Sequence, residues 1–247
     1  MIVITLSREL GSHGDEIAVR VAQELGLRLI DAETINRAAQ QAGVPRTALA
    51  ELEQEGERGL ANQVLKALRT MPGLRSAAPF STPPASEEDT AAPGFSTVTF
   101  PFVGLFSPTV PPLSASLEGY VRMVGLVIRG LAHEGNVLLL GRGGQVLLKD
   151  HPGTLHIQTV APLAHRVEVL MTRHALNKRG AQSRVRASDR ARFDYLRRYH
   201  NVDWLDPTLY HLVINTARVP IATAVNLIID AQHAIEQAAD TGDADAQ

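Results

Sequence analysis

The residues best suited to chemistry stand near the start of the chain, where the apolar run Ile2 to Leu6 gives way to Ser7-Arg8-Glu9-Leu10-Gly11-Ser12-His13-Gly14-Asp15-Glu16. An apolar strand that breaks into a short glycine-containing loop and opens onto a helix has the layout of a phosphate cradle. Glycines let backbone N–H groups converge, and the helix start adds unpaired donors and the positive end of its dipole. The standard phosphate-binding loop reads GxxxxGK(S/T), its lysine reaching the phosphates and its hydroxyl the magnesium ion. Here Gly14 is followed by Asp15 and Glu16. The pattern points to a nucleotide site and carries an acid where a cation belongs. A carboxylate ~4 Å from a phosphate oxygen, at an effective dielectric of about 20, is opposed by roughly 4 kcal/mol. Asp15 has a second reading as a helix N-cap, its side chain bonding the very N–H groups an anion would use. His13 is either a donor to a phosphate or an exposed loop histidine.

Two further loops and one basic stretch add polar groups. Gly141-Arg142-Gly143-Gly144 follows the apolar segment Val137 to Leu140. A fixed guanidinium fork there matches phosphate oxygens bidentately, or else bridges loops. Asn215-Thr216-Ala217-Arg218 follows a last short strand, Leu212 to Ile214. Arg218 either reaches a phosphate or caps the elements before it. From Arg166 to Arg198 ten basic residues face three acids, a local excess of positive charge in a chain of formal charge −2. Phosphoryl transfer draws on such cations because charge spreads over the equatorial oxygens in the transition state. A solvated basic helix has the same composition. Within the run, Arg186 lies one helical turn before Asp189 on the same face, and Arg192 one turn after it. Tyr195, Tyr199 and Trp204 interleave with these charges, a mixture that can bind nucleic acid. The near-neutral whole chain argues against a dedicated nucleic-acid protein, and aromatics so placed more often pack helices together. The nine histidines show no metal-ligand spacing, and there is no cysteine and no GxSxG elbow.

Positioning these groups falls to alternating strands and helices. At 247 residues the chain can bury a sizeable core. Absence of cysteine fits a reducing compartment, and with no signal peptide or run of ~20 apolar residues the expected location is the cytoplasm, without membrane contact. Ile2 to Leu6 reads as a strand, Glu16 to Leu25 as a helix, Leu27 to Ile30 as a strand, and Asp31 as the cap of a helix from Ala32 to Ala42. Polar helical stretches follow from Pro45 towards Leu52 and from Leu60 to Leu68. Residues 71–115 are rich in Pro, Ser and Thr and read as a flexible insertion, a surface loop or a flap docking through Phe100 to Phe106. Regular structure resumes with a helix from Leu117 to His133, the strand Val137 to Leu140, a short helix to Lys149 and the strand Thr154 to Val160. Helices then run from Pro162 to Leu170 and on to Tyr199, and a last helix spans Ile221 to Ala238. The acidic stretch 239–247 is expected to be disordered. Alternation of this kind selects a mostly parallel sheet covered on both faces, whose ligands sit beyond the carboxyl ends of the strands. That rule gathers Ser7 to Gly14, Asp31, Gly141 to Gly144 and Asn215 to Arg218 around one crevice.

Taken in order, Ile4 to Ala18, Gly141 to Gly144 and Asp206 to Arg218 resemble the cytidylate kinase-like family, a branch of the P-loop nucleoside monophosphate kinases. The resemblance covers nearly the whole chain outside the insertion. It implies an α/β fold with a five-stranded parallel P-loop kinase-type sheet flanked by helices, and an arginine-rich helical lid over 166–204. It also implies ATP and Mg2+ as cofactors and phosphoryl transfer to a nucleoside monophosphate. Residues 1–70 and 116–238 would form the two halves of the core. In the family, Arg142 matches the arginine that holds the acceptor, although the aspartate that follows it is here Gly143. Asp189 and Arg192 match an Asp-x-x-Arg element of the lid, and with Arg186 they are the catalytic candidates. Asn215 and Arg218 stand where nucleotide contacts occur, and Asp31 borders the same crevice. The donor phosphates fall to the Leu10 to Gly14 amides with Arg8, Gly11, Ser12, His13, Gly14, Asp15 and Glu16. This branch commonly ends its loop Gly-Gly-Arg-Glu, so Asp15 replaces a cation. Arg8 offers replacement charge, and magnesium held by Glu16 would offset the rest. Two rivals follow: a nucleotide-binding regulatory pseudokinase, favoured by Asp15, and an oligomeric scaffold using the 71–115 insertion as a contact arm.

Overall fold

The computed structural model describes residues 1–41 and 117–244. The helical stretches expected at 45–52 and 60–68, the insertion at 71–115 and residues 245–247 lie outside the described residues.

Five strands, β1 (Val3–Arg8), β2 (Arg28–Ile30), β3 (Val137–Leu140), β4 (Thr154–Val160) and β5 (Leu212–Asn215), form one sheet in the order β2-β3-β1-β4-β5. All neighbouring pairs are parallel. β1 is central because its side chains are apolar or buried on both faces: Val3, Ile4 and Leu6 are at most 1% exposed. Parallel strands need a cover on each face, and the alternation along β1 and β3 supplies two separate cores. Ile4, Leu6, Leu138 and Leu140 meet Ile17 and Val21 of α1 (Gly14–Glu24), and Val225 and Ile228 of the last helix. Val3, Val137 and Leu139 instead meet Ile35 of α2 (Ala32–Gln41), and Val124 and Ile128 of α3 (Leu117–Glu134).

After β3 comes the one-turn helix α4 (Gly144–Leu147). After β4 come α5 (Leu163–His174) and α6 (Lys178–His200), which pack on each other through Val167, Leu170, Ala181 and Val185. A short 3-10 helix (Pro207–Leu209) precedes β5, and α7 (Ile221–Ala244) closes the chain.

Several boundaries shift from the sequence reading, and three of the shifts are larger or bear on the site. β1 continues past Leu6 because Ser7 and Arg8 pair with Gln158 and Thr159 of β4. α1 opens at Gly14, so Asp15 stands inside its first turn. α7 runs past Ala238 to Ala244.

Candidate functional site

Beyond β1 the chain turns back at once. Glu9 N–H extends the ladder to Thr159 O at 3.0 Å, and Ser12 N–H closes a turn onto Glu9 O at 3.1 Å. The Ser12 hydroxyl is fully buried, 2.8 Å from Glu9 O and 2.9 Å from Thr159 Oγ1, so it holds the loop in shape rather than facing outwards. Both glycines are compulsory. Gly11 has φ +87°, and a Cβ on it would lie 2.7 Å from the Arg166 carbonyl oxygen; one on Gly14 would lie 2.4 Å from Thr159 Oγ1. Loop, β4 and α5 are therefore in backbone contact.

α1 begins from His13, which is left-handed at φ 56° and makes no side-chain cap. The first-turn N–H groups of Gly14, Asp15 and Glu16 have no intrahelical acceptor, which makes this helix start a ready anion site. Two corrections follow. Asp15 is not the N-cap, and the cradle amides do not run evenly from Leu10 to Gly14, since Ser12 N–H is bonded to Glu9 O.

Asp15 has found a different partner. Its Oδ1 lies 2.7 Å from Arg8 Nε, and the Arg8 guanidinium reaches on toward Gly141, where a Cβ would be 3.0 Å from Nη1. Arg8 thus spans the two glycine loops. Glu16 accepts from Arg173 at 2.9 Å and stands 3.7 Å from Arg20; Arg173 is also 3.0 Å from His13 Nδ1. A divalent ion at Glu16 would compete with these guanidinium groups. The rim is close to charge-balanced, with Arg8 against Asp15 and Arg173 against Glu16.

On the second loop Gly141, Arg142 and Gly143 have φ of 81°, 54° and 74°. A non-glycine residue held left-handed between glycines stores backbone strain, which clusters at functional sites. α6 covers this loop: a Cβ on Gly143 would be 3.2 Å from Leu196 Cδ2 and 3.4 Å from His200 Nε2. Burial lowers the pKa of His200, which favours its neutral form.

Above the loops lies a charge cluster. Arg166, 5% exposed, donates to both carboxylate oxygens of Asp189 at 2.8 and 3.0 Å, and from Nε to Ala161 O at 2.9 Å. Its Nε is also 3.4 Å from Glu9 Oε2, which accepts Ala161 N–H at 2.8 Å. Burial raises the Glu9 pKa, and the Ala161 N–H and Arg166 pull it back. Arg192 donates to Ser188 O at 3.1 Å and stands 5.9 Å from the Trp204 ring centroid. Burial, then the nearby Arg8 charge, lower its pKa to about 10, so it stays protonated at neutral pH.

Not every sequence candidate joins this centre. Arg8, Asp15, Glu9, Arg166, Asp189 and Arg192 gather beyond β1 and β4. Asp31 follows β2 and Asn215 ends β5, the opposite edge strands, four strand spacings apart, roughly 19 Å at ~4.8 Å each, so the four loops do not converge on one place. Asp31 caps α2, accepting Thr34 N–H at 2.8 Å. Asn215 Oδ1 accepts Ala217 N–H at 3.1 Å, and Arg218 is exposed. Tyr195 and Tyr199 pack against the core that holds α3. Glu9, Arg166 and Arg173 were absent from the sequence-based site. Glu9 beside Arg8 at a strand end was the available signal; the others had none beyond lying in a basic run.

A parallel sheet of order β2-β3-β1-β4-β5, with a glycine loop and helix after its central strand, defines a nucleotide-kinase-like α/β protein. The sequence pattern of the cytidylate kinase-like family matches residues 3–218, and the chain belongs to that family. An uncharacterized protein from Eubacterium ventriosum has a similar crystal structure, with a TM-score of 0.60 at 16% identity over 94% of this chain and 99% of that one. TT1252 from Thermus thermophilus aligns at a TM-score of 0.40 and 17% identity, over 93% and 96%. A 93-residue stretch, 38% of this chain, is 32% identical to uronate isomerase from Corynebacterium glutamicum. It spans only 18% of that protein. Among the described residues no helix is long and apolar enough to cross a membrane.

Proposed function

We propose that this chain transfers a phosphoryl group from ATP to a nucleoside monophosphate. The observation that carries the reading is the uncapped start of α1, reached through two glycines that admit no Cβ and flanked by the Arg8 guanidinium. A polyphosphate fits such a start, since three amides and a helix dipole await an anion. Bound ATP with magnesium supplies the transferable group and part of its charge neutralisation. The chain's own residues do the rest. Gly14, Asp15 and Glu16 amides orient the donor phosphates, Arg8 stands in for the missing lysine, and Arg142 holds the acceptor phosphate. Arg186 and Arg192 on α6, acting as a lid, counter the charge that develops, while Asp189 fixes the helix through Arg166. Asn215 and Arg218, at and just past the end of β5, are substrate contacts in this reading. Catalysis is then positioning and electrostatics, with no covalent intermediate.

A second reading, a nucleotide-binding protein without turnover, is favoured by Asp15, whose bond to Arg8 withdraws that guanidinium from a phosphate. Calorimetric titration with ATP, with and without magnesium, followed by coupled turnover across a panel of nucleoside monophosphates, separates the two. Turnover with at least one acceptor is the expected result. Binding without turnover supports the second reading, and absence of ATP binding overturns both.

A further inference from the structure

One cleft, of about 470 Å3, extends from the lid residues Arg186 and Asp189 away from the start of α1. It lies along α6 and is lined by Phe193, Trp204 and Leu205, with Glu9, Arg186 and Arg190 among its polar groups. Its volume is in the range of small-molecule sites.

Two features set it apart from ordinary surface. Phe193 and Leu205 are large apolar side chains left 43% and 48% exposed at the same cleft, over a floor formed by Trp204, which is 2% exposed. The floor is fixed in place, because the Trp204 carbonyl accepts from Gln158 at 3.0 Å and from the Tyr210 hydroxyl at 2.7 Å. The lining charges are also largely cancelled: Asp189 is bound to Arg166, and Asp194 stands 3.7 Å from Arg190. A cleft with exposed apolar side chains at Phe193 and Leu205, and with most of its charges paired, suits the uncharged part of a ligand. The Arg192 guanidinium, 5.9 Å from the Trp204 ring centroid, suits the phosphoryl group in transfer, and Arg142 keeps the acceptor phosphate. The next turns of the same helix, Leu196 and His200, pack on Gly143, which brings the cleft alongside the Gly141–Gly144 loop.

We infer that the cleft between Phe193 and Leu205 seats the nucleobase of the acceptor nucleoside monophosphate, with Glu9 accepting from a base amino or sugar hydroxyl group. The inference rests on the kinase-type reading and names where that reaction's acceptor lies. Glu9 suits the role because one of its oxygens is committed to Ala161 and Arg166 while its carboxylate still lines the cleft.

The test uses the full chain with CMP, UMP, AMP and GMP, and with ribose 5-phosphate as the base-free control, by calorimetry and by emission of Trp204, the sole tryptophan. The monophosphate that binds is expected to quench Trp204. Phe193→Ala should weaken it about tenfold, as for loss of one base–aromatic stack, while ribose 5-phosphate and ATP affinities stay within about twofold. Leu205→Ser, at a second exposed position, should act in the same direction, and a thermal melt confirms that each variant is folded. A monophosphate that binds unaltered to both folded variants overturns the inference. So does failure of every monophosphate to bind: if ATP still binds, only this assignment falls, and if ATP also fails, the kinase reading falls with it.

Discussion

Asp15 exerts its effect through charge balance. At ~4 Å and an effective dielectric of about 20 a bare carboxylate would oppose a phosphate by roughly 4 kcal/mol, but Arg8 at 2.7 Å offsets much of that field. Asp15→Lys should therefore tighten ATP binding by about 2 kcal/mol, because it releases Arg8 and restores the loop cation. Calorimetry checks this, and equal affinity in both proteins would show that Asp15 is remote from the phosphates. Arg8→Ala should act in reverse, leaving the acid uncompensated. Gly14→Ala separates shape from charge: its Cβ would stand 2.4 Å from Thr159 Oγ1 and 2.5 Å from Arg8 Cβ, so β1 and α1 must part. A loss of about 2 kcal/mol or more in urea unfolding, with ATP binding abolished, is expected.

At the scale of elements, α5 and α6 are joined to the loop after β1 by one buried cation. Arg166 holds Asp189 of α6, Ala161 O at the end of β4 and Glu9 of the loop at once. Removing one partner of such a cluster strands the other charges in a low-dielectric site, whereas the intact set contributes little net stability. Asp189→Ala should cost about 2 to 3 kcal/mol, less than a fully buried pair because Asp189 is 28% exposed. The loss should be confined to α5 and α6, so hydrogen exchange of those helices rises while β1 and β3 keep their protection. Uniform loosening of the whole sheet would contradict this division.

For the whole molecule, the sheet separates an apolar face from a partly polar one. β4 turns Leu155 and Ile157 to α1 and α7 but buries Thr154, His156 and Gln158 on the opposite side. There Thr5 Oγ1 lies 2.7 Å from His156 Nδ1, and the ring also bonds the Leu148 backbone. A neutral imidazole donates to Leu148 and accepts from Thr5. Burial, and then His211, hold the His156 pKa down to about 4. A histidine lowered from 6.5 on folding binds protons more readily when unfolded, so its stabilising share is full above pH 6.5. That share falls as pH drops toward 4 and amounts to about 3 kcal/mol. Urea unfolding from pH 7.5 to pH 4 should show this decline, and His156→Gln should flatten it. An unchanged slope in the variant would assign the decline to other groups.

Local patterning made the layered fold readable. Val137–Leu140 and Thr154–Val160 were located to the residue, the first as a continuous apolar run closed by Gly141 and the second as an alternating segment between Gly153 and Pro162. The glycine loop before α1, the Asp31 cap and the Gly141–Gly144 turn were legible for the same reason, since each depends on residues a few positions apart. Partnerships across the sheet were not. Glu9 meets Ala161 across 152 positions, Arg173 meets Glu16 across 157, and Arg166 chooses Asp189 from three acids in its stretch. Those pairings exist because β1 lies beside β4, which sets α5 against the glycine loop. A strand's own periodicity says that it is buried and never beside which neighbour, so the removal of Asp31 from the centre and the cleft at Phe193 waited on strand order, whereas Arg8, seven residues from Asp15, was a partner the sequence could offer.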